Sequence, residues 1–150
     1  MDNPTIRKFR ENIRHIEREL NIQNNSNCSP DISLPQCHML LELNSQGKSS
    51  INELSKRLHL DKSTVSRTVD TLVRDKYASR IIPEENRRKV TVSLTPKGKV
   101  NCDRINKDND AYFGIILDAV PAKDQAVFLR SFERVVKKMI ECNHKHPDHC

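Results

Sequence analysis

Lys62, Ser63, Thr64, Ser66 and Arg67 place one ammonium, three hydroxyls and one guanidinium within six consecutive residues. Laid on a helix, these donors fall away from Val65, Val69, Leu72 and Val73, whose i, i+4, i+7 and i+8 spacing marks a buried stripe. Such a set suits a polyanion with readable edges. Lys62, Ser63 and Thr64 have the reach and charge for phosphate contacts, which position a helix without reading sequence. Arg67 carries the planar fork that can donate twice to a guanine in the major groove. Further along, Arg87, Arg88 and Lys89 stand side by side in the segment PEENRRKV, residues 83–90. An arginine at a hairpin tip can enter a narrow minor groove, where the negative potential is enhanced. Arg87 is the expected tip residue, and Arg88 the one expected to brace the loop through an internal ion pair. The plainer alternative for both clusters is a solvated charged face.

A second group could hold metal or respond to oxidant. Cys28, Cys37, His38 and Cys102 offer thiol and imidazole ligands that suit zinc or another thiophilic ion. Cys37 lies in the first turn of its expected helix, where the dipole lowers a thiol pKa. The competing reading makes Cys37 and Cys102 small core residues and Cys28 a loop thiol. The terminal run CNHKHPDHC adds Cys142, His144, His146, His149 and Cys150, against which stands an ordinary polar tail. No cofactor is required by this reading. Nor do a glycine-rich phosphate loop, a nucleophile elbow or a paired metal-hydrolase motif occur, so no enzymatic activity is expected.

The charge balance favours the polyanion. Net charge is +6, and between Lys48 and Lys99 thirteen Lys/Arg face six Asp/Glu, a net +7 in that span alone. A concentrated basic surface is the electrostatic footprint of a nucleic-acid partner. The five cysteines are odd in number and widely spread, unlike a secreted disulfide framework. No apolar run is long enough to span a bilayer, and the first residues lack the apolar core of a signal peptide, so a cytoplasmic protein is expected.

The elements that must position these side chains are mostly helical, as 31% charged residues, no Trp and three Gly suggest. Ile6, Phe9, Ile13, Ile16 and Leu20 recur at helical spacing from about Pro4 to Asn24. A second helix starts near Pro35 and carries Met39, Leu40 and Leu43 up to Gly47. Ile51, Leu54 and Leu58 make a short third helix, and Asp61 is a good N-cap for the fourth. Two strands follow, ASRII and KVTVSL, then helices from Thr95-Pro96 and from Pro121. The expected fold is mostly α, a winged helix-turn-helix with long N- and C-terminal helices that form a dimerisation region. Its parts are an N-terminal helix and loop (1–33), the winged unit (34–98), C-terminal helices (99–141) and a Cys/His-rich tail (142–150).

These motifs resemble the MarR family of bacterial transcriptional regulators over roughly Leu34 to Lys138. The resemblance is carried by INELSKRLHLDKSTVSRTVDTLVRDKYASR and ENRRKVTVSLTPKGK, where the family's wing signature falls on Asn86, Arg88, Leu94, Thr95 and Gly98. Two departures stand out: Asn86 where the family usually has Asp, and Lys76 where a Gly commonly ends the recognition helix. The resemblance implies an obligate homodimer whose first and last two helices interlock, reading a pseudo-palindromic stretch of double-stranded DNA. It further implies a repressor released by an effector, whether small ligand, oxidant or metal. Cys28, Cys37, His38 and Cys102 would then converge on the effector region. The alternative function is a winged-helix protein-interaction module without specific DNA binding.

Overall fold

The order of elements is α1 (Pro4–Asn27), α2 (Leu34–Gln46), β1 (Ser49–Ser50), α3 (Ile51–Leu58), α4 (Lys62–Arg74), β2 (Ala78–Ile81), β3 (Thr91–Leu94), α5 (Pro96–Leu117) and α6 (Ala122–His144) in a computed structural model. Residues 3–27, 31–86 and 88–144 are described. The three strands form one antiparallel sheet in the order β1-β3-β2.

The helix starts are set by short polar caps. Asn3 Oδ1 accepts from the Thr5 N–H at 3.0 Å ahead of α1. Ser33 and Gln36 form a capping box at α2, with Pro35 in the first turn. Ser50 caps α3, Asp61 caps α4 and Thr95 caps α5. The core then assembles from the apolar stripes these caps place in register. Met39, Leu40 and Leu43 of α2 meet Leu54 of α3, Val65, Val69 and Leu72 of α4, and Val92 of β3, all buried. Burial on this scale is the main stabilising term, on the order of 1.5–3 kcal/mol per large side chain.

Two expectations change. The sheet has a third strand, β1, in which Ser49 pairs with Val92 and Ser50 with Thr91. Two serines carry no apolar alternation, so this pairing is created by the register of β3 rather than by local pattern. The last helix also continues past residue 141 to His144, three residues into the expected tail.

The long helices leave much apolar surface uncovered. α6 has no buried residue, and Phe128 and Phe132 stack at 5.7 Å between ring centroids while each stays 42% exposed. Ile6, Phe9 and Ile16 of α1 and Phe113, Ile115 and Ile116 of α5 are exposed as well. Among the described residues, no helix is long and apolar enough to cross a membrane.

Candidate nucleic-acid interface

The turn between α3 and α4 is held from three sides. Arg57 ion-pairs with Glu42 of α2 at 3.0 Å and donates to the Ser49 hydroxyl, tying α3 to α2 and β1. His59 reverses the chain in the left-handed region at φ 54°, and Ser55 Oγ donates to the Leu60 carbonyl across the bend. Asp61 then opens α4 by accepting from the Thr64 N–H at 2.8 Å and the Thr64 hydroxyl at 2.7 Å, and from the Ser63 hydroxyl. Those donors, the Ser63 hydroxyl foremost, hold the Asp61 carboxyl well below the usual carboxylate range.

This network refines the roles expected at the start of α4. Ser63 and Thr64 direct their hydroxyl protons at Asp61, so a phosphate would have to compete with that carboxylate for them. Lys62 and Arg67 are exposed, and Ser66 is half-buried. Arg67 Nη2 lies 3.4 Å from Thr64 Oγ1, so the guanidinium, the hydroxyl and the Asp61 carboxylate form one line of hydrogen bonds along the helix face. Sequence reasoning placed Asp61 as a cap and missed that it also sets the direction of Arg67.

The wing is joined to α4 by Thr95 and Gly98 of the wing signature and by Arg80 and Lys97, which the sequence did not single out. Arg80 of β2 ion-pairs with Asp70 of α4. The Thr95 N–H donates to the Tyr77 carbonyl at 3.1 Å and its hydroxyl to the Lys76 carbonyl at 2.6 Å. Lys97 Nζ donates to the Asp75 carbonyl at 3.0 Å and sits 4.4 Å from the centre of the Tyr77 ring. Gly98 comes so close that a Cβ there would stand 2.0 Å from the Tyr77 carbonyl oxygen. Lys76 itself is in the left-handed region at φ 64°, so the chain takes the conformation of the family's usual glycine with a lysine in place.

In the wing loop, Asn86 replaces an ion pair with a turn. Its side-chain oxygen accepts from the Arg88 N–H at 3.0 Å, and its carbonyl accepts from the Lys89 N–H at 3.0 Å. Arg88 braces the loop through its backbone, and among the described residues no ion pair involves its side chain. Arg88 and Lys89 are exposed; Arg87 lies outside the described residues.

The expected effector group is divided. Cys37 and His38 of α2 line a cavity of about 260 Å³ between α1, α2 and α5, with Gln23, Asn24, Asn109 and Phe113. Cys102 is fully buried elsewhere, and its thiol donates to the Leu40 carbonyl at 3.4 Å. Burial pushes that thiol above its ordinary pKa, against the thiolate a metal needs. Its place is therefore the core, among Met39, Leu40 and the other buried residues of that cluster. Cys28 lies outside the described residues, as do His146, His149 and Cys150, while Cys142 and His144 end α6. Among the described residues no three His, Cys, Asp or Glu side chains gather as a metal would require.

Comparisons with known proteins agree with this geometry. The chain is similar to the uncharacterized HTH-type transcriptional regulator YpoP of Bacillus subtilis, at 22% identity over 84% of this chain and 89% of that one. It is 27% identical to the HTH-type transcriptional repressor YetL of Bacillus subtilis over 57% of this chain and 54% of that one. Its fold is similar to Streptococcus pneumoniae FabT, solved in complex with DNA, with a TM-score of 0.78, 22% identity, and coverage of 89% of this chain and 96% of that chain. Residues 32–90 match the model of the MarR family, a span that runs from the start of α2 through the helix-turn-helix to the end of the wing loop. The matched span is the winged helix-turn-helix itself, and it is there that the chain is similar to the MarR family.

Proposed function

We propose that this chain is a sequence-specific double-stranded DNA-binding transcriptional regulator, a repressor that works as a homodimer on a pseudo-palindromic operator. The observation that carries this reading is the fastening of two exposed cationic elements into one unit. α4 presents Lys62 and Arg67, the wing presents Arg88 and Lys89, and the Arg80–Asp70 and Thr95–Lys76 contacts hold the two together. In the proposed complex Arg67 reads a base edge in the major groove, Lys62 holds a phosphate, and the wing lies along the minor groove. Ser63, Thr64 and Ser66 line the same approach. An interaction module would have no need for a basic wing.

The homodimer is supported by the apolar faces of α1, α5 and α6, which a single chain leaves in water. Two winged units about one DNA turn apart match a two-fold symmetric site. The cavity beside Cys37 and His38 is the proposed effector site; its size and its mixture of Phe113 with Gln23, Asn24 and Asn109 suit a small, partly polar organic molecule. Oxidation of Cys37 or metal capture there are the other release signals. A bacterial cytoplasm is the proposed setting.

Selection of bound sequences from random duplexes, followed by competition of the winning site against random DNA, tests the reading. A two-fold symmetric consensus bound by two chains, at least about a thousandfold tighter than random DNA, is expected. Equal affinity for every duplex would leave only a nonspecific binder.

A further inference from the structure

The cavity between α1, α2 and α5 has a polar group in its wall that the chain leaves unsatisfied. Gln23 of α1 lines the cavity, and its Nε2 is buried with no hydrogen-bond partner among the described residues. A buried amide donor without an acceptor carries the full cost of its lost hydration. Around it the wall is apolar or neutral amide, with Leu20, Ile105 and Phe113 together with Asn24 and Asn109. Among the described lining residues there is no Lys, Arg, Asp or Glu, and residues 25–30, NSNCSP, bring no charged type. The titratable lining is Cys37, which is buried, and His38, which is exposed.

Resting on the reading of this cavity as the effector site, we propose that its ligand is a neutral aromatic carbonyl compound, of the aryl ketone class, whose oxygen accepts from Gln23 Nε2. The last torsion of a glutamine side chain is broad, so the amide turns its N–H groups into the cavity at little cost. A ligand oxygen there supplies the acceptor that the chain does not. The apolar lining and the Phe113 ring suit a flat aromatic body. A carboxylate would give up its hydration against a wall without a fixed cation, a far larger penalty than a carbonyl meets. His38 does not stand in for that cation, because a charge on an exposed ring is screened by water. Gln23 thus selects for an acceptor, and the uncharged wall selects against an acid.

The test uses the full-length chain in equilibrium dialysis against acetonaphthone, naphthoate and ethylnaphthalene, all substituted at the same ring position. The three share an outline and differ in carrying an uncharged acceptor, a negative charge or neither. Saturable binding of the ketone is expected, at least about tenfold tighter than that of the other two. Gln23→Met keeps the side chain's length and removes the donor. It should weaken the ketone about fivefold and leave ethylnaphthalene unchanged. It should also raise the melting temperature of the ligand-free chain, since the unsatisfied donor is gone. A lowered melting temperature would assign the amide to an internal hydrogen bond and overturn the proposal. Tighter binding of naphthoate, ketone affinity unchanged in Gln23→Met, or no saturable ketone binding would each overturn it as well. Operator affinity measured with and without the ketone separates this chemistry from the effector reading. Gln23-dependent binding that leaves operator affinity unchanged would uphold the ligand class and remove the cavity's role in release.

Discussion

Thr95 Oγ1 donates to the carbonyl of Lys76 at 2.6 Å, so the residue that starts α5 also grips the residue that follows the recognition helix. That grip holds Lys76 at φ 64°, where a side chain costs about 1 kcal/mol relative to the ordinary helical region. Lys76→Gly should therefore raise the unfolding free energy by about 0.5–1 kcal/mol, part of the relief being lost to the freer unfolded chain. Lys76→Val should lower it. Urea denaturation of the three proteins checks the order, and a less stable glycine variant would mean that the lysine side chain contributes more than its backbone costs.

Gly98 tests the same junction from the other side. Its missing Cβ leaves room for the Tyr77 carbonyl, which would otherwise lie 2.0 Å away. Gly98→Ala forces α5 away from the Tyr77 carbonyl and should destabilise the fold by about 3 kcal/mol, the upper end of overpacking costs. Gly114→Ala, at a position where an added Cβ meets nothing within 4 Å, is the matched control and should be neutral or slightly stabilising.

Asp61 predicts a pH dependence. Its folded pKa is depressed by the Ser63 hydroxyl and then by the Thr64 hydroxyl and N–H, so its charge contributes stability that is complete above the ordinary value of 3.8. That contribution is lost as pH falls below 3.8 toward the folded value. Asp61→Asn keeps a neutral capping oxygen and removes the charge. The stability gap between the two proteins should be widest at neutral pH and shrink on acidification, measured by denaturation across a pH series. A gap independent of pH would remove the charge from the account.

The roles proposed for Arg67 and Lys62 separate reading from holding. Arg67→Ala should weaken the selected site by roughly 1–3 kcal/mol and flatten preference at one base position. Lys62→Ala should weaken all duplexes about equally and reduce the slope of log affinity against log salt by about 1. Fluorescence anisotropy at several salt concentrations distinguishes them. An Arg67→Ala protein with an unchanged ratio of specific to random affinity would be incompatible with the base-reading role.

Much of this interface is legible in the sequence because its determinants are local. The stripe Val65, Val69 and Leu72 fixes the buried side of α4, and Lys62 and Arg67 then face outward by helical geometry alone. What escapes are features made by distant partners. β1 exists because β3 offers it a ladder, the Arg80–Asp70 pair joins strand to helix, and His144 reaches His59 only after two long helices fold back. The direction of the Ser63 and Thr64 hydroxyls escapes for a different reason. They have two competing acceptors, Asp61 within the chain and phosphate outside it, and residue type does not rank them.

α6 buries none of its residues within one chain, although Val127, Phe128, Phe132, Val136 and Met139 line its exposed apolar surface. In the proposed homodimer a helix in that position draws its stability from mass action. The melting temperature should climb with protein concentration, and dilution alone should loosen α6 before the winged unit unfolds. Operator occupancy would then follow roughly the square of chain concentration while chains are scarce. On the proposed function, modest changes in synthesis or turnover would silence or release the target without any effector.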